Sequence, residues 1–100
     1  LIIRGVNLFH TQVEEVIHQF EGLSPNYRLV VERKGTMDSV LVEVESANET
    51  SADEQRALGE QLAGKIKNTI GLSMATAVKT PHSIPRSQGG KLSRILDKRR

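Results

Sequence analysis

The chain contains no cysteine and no tryptophan, and its only aromatic residues are Phe9, Phe20 and Tyr27. Without cysteine there are no disulfides and no thiolate chemistry, a composition that an intracellular, cytoplasmic chain tolerates. The three aromatics lie far from the basic end of the chain. They offer no row of platforms on which single-stranded bases would stack, so no nucleic-acid partner is expected. No apolar run approaches the ~20 residues needed to cross a bilayer, and no leader pattern opens the chain. No membrane association is therefore expected. The histidines His10, His18 and His82 are scattered and have no partners at metal-ligand spacing, which predicts no metal site. Glu14 and Glu15 are adjacent carboxylates, but neighbouring helical positions do not face each other, which rules them out as an acid–base pair.

One hundred residues with 37% hydrophobic content suffice for one domain around one small core. The net charge of +2 conceals an asymmetry. From Arg86 onward six cations (Arg86, Lys91, Arg94, Lys98, Arg99, Arg100) face Asp97 alone, a net +5, which leaves −3 on the first 85 residues. A basic end points to an anionic partner, and without nearby aromatics a small phosphorylated ligand fits better than a polymer. The chain opens inside the apolar run Leu1-Ile2-Ile3 without a methionine, and reads as a piece of a longer protein.

Local patterns predict the elements in order. Leu1 to Arg4 and Val6 to Phe9 read as short strands interrupted by Gly5. Thr11-Gln12-Val13-Glu14 has the form of a capping box, and Val13, Val16, Ile17 and Phe20 follow at helical spacing to Gly22. Ser24-Pro25-Asn26 reads as a turn and Tyr27 to Arg33 as a strand. Lys34 to Asp38 forms a hairpin connection. Val40, Val42 and Val44 then alternate with Leu41, Glu43 and Glu45, a strand with one dry face. After a polar loop, Ser51-Ala52-Asp53-Glu54 is a second capping box. Leu58, Leu62, Ile66 and Ile70 mark a long amphipathic helix that Gly71 closes as a left-handed cap, with Leu72 as its apolar follower. Met74 to Lys79 is the third main strand, Thr80 to Gly90 is loop, and Leu92 to Asp97 is a short element of unassigned type.

This order predicts an α+β fold: a small three-stranded sheet with two helices packed on one face, plus a short N-terminal strand pair. The same βαββαβ pattern is compatible with a ferredoxin-like regulatory domain that binds a small molecule. The basic end is compatible with an RNA-binding domain that lacks the usual aromatics.

The segment Pro85-Arg86-Ser87-Gln88-Gly89-Gly90-Lys91-Leu92-Ser93-Arg94 carries the most chemistry. Gly89 and Gly90 let backbone approach a ligand closely, and Lys91 supplies a mobile point charge for a phosphate or carboxylate. Taken alone, such a stretch also fits a solvated tail. It is not a Walker loop, because Arg86 and Leu92 stand where that motif needs glycine and Ser or Thr. With no complete active site of its own, the chain offers two glycine-bearing segments, around Gly5 and around Lys91, to a site completed elsewhere.

Pro85 to Arg94 resembles the C-terminal signature of adenylate-forming ligases, roughly Pro-Arg-Thr-x-Ser-Gly-Lys-x-x-Arg. Leu1-Ile2-Ile3-Arg4-Gly5-Val6-Asn7-Leu8-Phe9 and Gln12-Val13-Glu14-Glu15-Val16 resemble the segment after the hinge in phenylacetate–coenzyme A ligases. The middle of the chain agrees, through Leu23-Ser24-Pro25-Asn26-Tyr27, Ile84-Pro85 and Arg94-Ile95-Leu96-Asp97. Gly89 stands where many members carry Ser, and Asn7 where the wider superfamily carries Arg.

The resemblance implies that residues 1–100 form the mobile lid of a two-domain, AMP-forming ligase whose N-terminal domain is the lid's main partner. Such enzymes use ATP, Mg2+ and coenzyme A to convert an aryl carboxylic acid into an acyl-adenylate and then a thioester. The ATP and Mg2+ are held mainly by the N-terminal domain. By resemblance Lys91 is the catalytic lysine of adenylation, flanked by Gly89 and Gly90. Arg4, Gly5 and Val6 line the coenzyme A passage in the second half-reaction. The lid alone is expected to be inactive, and homo-oligomer formation is compatible with its uncovered apolar surface.

Overall fold

The computed structural model describes residues 2–84 and 95–99. Strands β1 (Ile2–Ile3) and β2 (Val6–Asn7) form a separate antiparallel hairpin. Helix α1 (His10–Ile17) follows, then β3 (Leu23–Lys34), β4 (Met37–Ser46), α2 (Ala52–Ile70), β5 (Ala75–Lys79) and β6 (Ile95–Asp97). The main sheet runs in the order β5-β4-β3-β6. Strands β3 and β4 are antiparallel neighbours, β5 is parallel to β4, and β6 is parallel to β3.

The α+β class and the N-terminal strand pair agree with the sequence reading, and the sheet has a fourth strand. Within the unassigned stretch at the end of the chain, Ile95, Leu96 and Asp97 pair with Leu29, Val30 and Val31, and Lys98 N–H continues the ladder to the Val31 carbonyl at 2.7 Å. Three residues are too short to announce a strand by period; the open edge of β3 supplies the missing partner.

One face of the sheet is dry. Tyr27, Leu29 and Val31 of β3 and Val40, Val42 and Val44 of β4 are each at most 2% exposed. Val13, Val16 and Ile17 of α1 and Leu62 and Ile66 of α2 pack into the same core. Alternation of period two on the strands and the helical stripes therefore meet in one layer interface. Ser51 caps α2 by accepting the Glu54 N–H at 3.2 Å, and Gly71 ends it at φ 84°, as the sequence indicated.

Three local expectations need correction. The first helix begins ahead of Thr11: Phe9 is its N-cap position, and Gln12 Oε1 accepts the Phe9 N–H at 3.0 Å. Ser24-Pro25-Asn26 is part of β3, as a bulge where pairing shifts between Leu23 and Tyr27. The local turn bond survives there, Asn26 N–H donating to Ser24 Oγ at 3.0 Å. Pro25 falls where the pairing with β4 shifts register, the kind of position at which a strand tolerates proline. Glu45, expected on the polar face of β4, is 1% exposed.

Glu14 is not a cap either. Its Oε1 lies 3.1 Å from the Tyr27 hydroxyl, which also sits 3.2 Å from the His10 carbonyl and 3.1 Å from His10 Nδ1. This polar knot joins the first turn of α1 to the middle of the sheet. Tyr27→Phe keeps the ring and removes the hydroxyl, so the expected loss is about 1–2 kcal/mol. Tyr27→Ala also leaves a cavity and should cost about 3–5 kcal/mol. Urea unfolding of the two variants checks both magnitudes and their order.

Candidate functional site

Arg4 and Gly5 are the two-residue loop between the pairs Ile3↔Val6 and Ile2↔Asn7. Both have positive φ, 48° at Arg4 and 80° at Gly5. That combination makes the tight primed turn that a right-twisted hairpin prefers. Glycine adopts it freely, whereas a non-glycine residue in this region stores about 1–3 kcal/mol. The Arg4 side chain is committed to the turn, its Nη2 donating to the Ser73 carbonyl at 2.7 Å, just ahead of β5. Among the described residues, apart from its chain neighbours, no heavy atom lies within 4 Å of where a Gly5 Cβ would stand. Arg4 and Gly5 are exposed and Val6 is half-buried against the core. The predicted segment is thus a stiff projection with open space at its glycine.

Lys91, Gly89 and Gly90 lie outside the described residues. The residue ahead of Pro85 is described and firmly placed. Ile84 is 6% exposed, and its N–H donates to Glu45 Oε2 at 2.8 Å. A buried carboxylate thus fixes the approach to the lysine-bearing segment. Sequence reasoning missed Glu45 because alternation put it on the open face; the one available signal was Ile84, a lone apolar residue in a polar loop that had to cover something.

Next to this loop, a shallow cleft is lined by Arg28, Glu43, Gln55, Lys79, Thr80 and Ser83. Glu43 Oε1 accepts from Arg28 Nε at 3.0 Å and Nη2 at 2.8 Å, and Lys79 Nζ is 3.7 Å from Oε2. Two cations share one carboxylate there, which leaves a net charge of +1 on the named lining residues.

A second unpredicted cluster joins the two ends of the chain. Arg99 Nε lies 3.0 and 3.2 Å from the two Asp97 carboxylate oxygens, and Nη2 is 2.8 Å from Oδ2. Its Nη1 donates to Asp38 Oδ2 at 2.9 Å and to the Ile2 carbonyl at 3.1 Å. Arg33 Nε holds the other Asp38 oxygen at 2.8 Å. Hydrogen bonds from Arg99 bring the Asp97 carboxyl down to about 2, and those from Arg33 and then Arg99 hold Asp38 below its ordinary value. Arg99 is in turn shifted upward, first by Asp97 and then by Asp38.

The model of the AMP-binding enzyme C-terminal domain matches residues 5–99. The chain belongs to that family. It is 46% identical over 102 residues to a phenylacetate-coenzyme A ligase of Escherichia coli, covering 99% of this chain and 23% of the relative. A phenylacetate-coenzyme A ligase of Thermus thermophilus is 39% identical over 115 residues, which cover 100% of this chain and 26% of the relative. The chain spans about a quarter of the length of these curated relatives. A solved domain of a phenylacetate-coenzyme A ligase from Bacteroides vulgatus superposes with a TM-score of 0.87 at 25% identity, covering 100% of this chain and 92% of that one. The four-stranded sheet, its two helices and the leading hairpin are therefore features of an AMP-binding enzyme C-terminal domain.

The depressed carboxylates make the Arg99 cluster acid-sensitive in a defined direction. Both folded values lie below the unfolded one, so the stability they contribute is present above about pH 4 and lost as pH falls through the folded values, which for Asp97 is about 2. The thermal midpoint should drop across this window, and Asp97→Asn should flatten the drop. An unchanged acid limb in Asp97→Asn would show that the cluster does not couple to folding.

Proposed function

We propose that this chain is the mobile lid of an AMP-forming acid–coenzyme A ligase that acts on an aryl acid such as phenylacetate. The observation that carries this reading is the Arg4–Gly5 turn, whose glycine no described residue crowds, in a chain that matches about a quarter of the length of phenylacetate-coenzyme A ligases. A glycine that no described residue crowds, held at the tip of a tethered hairpin, suits the wall of a narrow passage completed by a second body. That second body is the N-terminal part of the same protein, which supplies the pockets for ATP, Mg2+ and the acid. The surroundings of such an enzyme are the cytoplasm.

The two glycine-bearing segments serve different half-reactions. In the first, a carboxylate oxygen attacks the α-phosphorus of ATP and pyrophosphate leaves. Lys91 places a positive charge between these two anions, an electrostatic role that a flexible ammonium fills well. In the second, the thiol of coenzyme A attacks the adenylate carbonyl and AMP leaves. Arg4, Gly5 and Val6 then flank the approach of the thiol. Gly89 and Gly90 keep backbone bulk away from the phosphates while Lys91 is in place.

Described residues fit this division only for the second role. Arg4 and Gly5 offer a backbone edge and empty space.

Half-reaction assays on the full-length protein separate the two roles. Lys91→Ala should slow adenylation, read as pyrophosphate exchange, by about 10²–10³, while thioester formation from supplied acyl-adenylate persists. Equal losses in both steps would remove the assigned role. Gly5→Leu should show the reverse pattern, because a side chain at φ 80° strains the turn and fills the passage. Normal thioester yield from Gly5→Leu would refute the passage.

A further inference from the structure

The β1–β2 hairpin is only two residue pairs long, and a lone two-stranded ribbon of that size has little stability of its own. Its position must come from what holds it to the main sheet. Burial of Ile3 and Leu8, at 0% and 1% exposure, fixes its inner side. The Arg4 bond to Ser73 secures the tip. At the base, the contact comes from the opposite end of the chain, where Arg99 Nη1 donates to the Ile2 carbonyl while sharing Asp38.

We propose that Arg99 is a positioning residue for the thioester half-reaction, fixing the base of the hairpin so that the Arg4–Gly5 turn meets coenzyme A at a set distance. The inference rests on the reading of that turn as the passage wall. It goes beyond that reading by assigning the control of its placement to a side chain 94 positions beyond Gly5.

The geometry suits this role in three respects. Arg99 is only 18% exposed at its side chain, and it is held rigidly by Asp97 on one edge of the guanidinium. The same planar group spans three elements: the end of β6, the start of β4 and the carbonyl of β1. Arg33 holds the free oxygen of Asp38, so the anchor itself is braced. A lysine cannot reproduce this fork, since one ammonium replaces three donors fixed in a plane. Arg99→Lys therefore keeps the charge and loses the simultaneous grip on Asp97, Asp38 and Ile2. No described contact runs from Arg99 to the turn itself, so the effect passes through the hairpin backbone.

The test uses the full-length protein with Arg99→Lys and Arg99→Ala. Both should keep pyrophosphate exchange within about twofold of the parent and lose about 10–100-fold in kcat of thioester formation from supplied adenylate, the scale of an ångström-level misplacement. Amide hydrogen exchange over residues 2–7 should quicken in both. Equal losses in the two half-reactions, failure of both variants to fold, or parent-like thioester formation by Arg99→Lys would each overturn the inference. Gly5→Leu, assayed alongside, separates the two levels. If it impairs thioester formation and Arg99→Lys does not, only the positioning role falls. If Gly5→Leu is normal, the passage reading and the positioning role fall together.

Discussion

Pairing of β3 with β4 in a register that turns every other side chain to the same side sets most of this structure. Tyr27, Leu29 and Val31 stand beside Val44, Val42 and Val40, and the six form a continuous apolar floor. A slip of one residue would bring Arg28 and Glu43 into the core in their place, so the register is strongly specified. Both helices lie on that floor, where Val13, Val16, Leu62 and Ile66 are buried together. The parallel arrival of β5 follows from the length of α2, which carries the chain back along the sheet before Ala75 joins β4.

The opposite consequence of the same register is a set of polar residues at the sheet margins. Glu45 leaves the water to hold Ile84, and Asp38 leaves the hairpin end to hold Arg99. Each of these carboxylates sits on β4 and each controls a chain segment outside the sheet. One governs the approach to Pro85, and the other reaches the N-terminal hairpin through a guanidinium. The strand that builds the core thus also holds Ile84, ahead of Pro85, and, through Arg99, the base of the N-terminal hairpin.

Patterns confined to one element could be read without a structure. Ser51, the Leu58–Ile70 stripe and Gly71 defined α2 from cap to cap, because capping and helical period are local. The valines of β4 defined its dry face for the same reason. Reading failed where a second element intervened. Thr11 and Glu14 fit a capping box, yet Gln12 does the capping and Glu14 turns to Tyr27, a partner 13 residues away. Ser24-Pro25-Asn26 has turn chemistry, yet the strand runs through it as a bulge.

The candidate site divides in the same way. Gly5 was legible as a special backbone position, and the Pro85–Arg94 stretch was legible as a glycine-flanked lysine, because both signals lie within a few consecutive residues. The sequence by itself determined the α+β class, the boundaries of α2, the glycine turn and the family resemblance, all of which rest on short-range periodicity or contiguous motifs. Only the tertiary structure decided that β6 closes the sheet, that Glu45 is buried against Ile84, and that Arg99 joins Ile2 to Asp38 and Asp97. Those contacts depend on which edges and ends the folded sheet brings within hydrogen-bond reach, and residues separated by 97 positions carry no mark of each other along the chain.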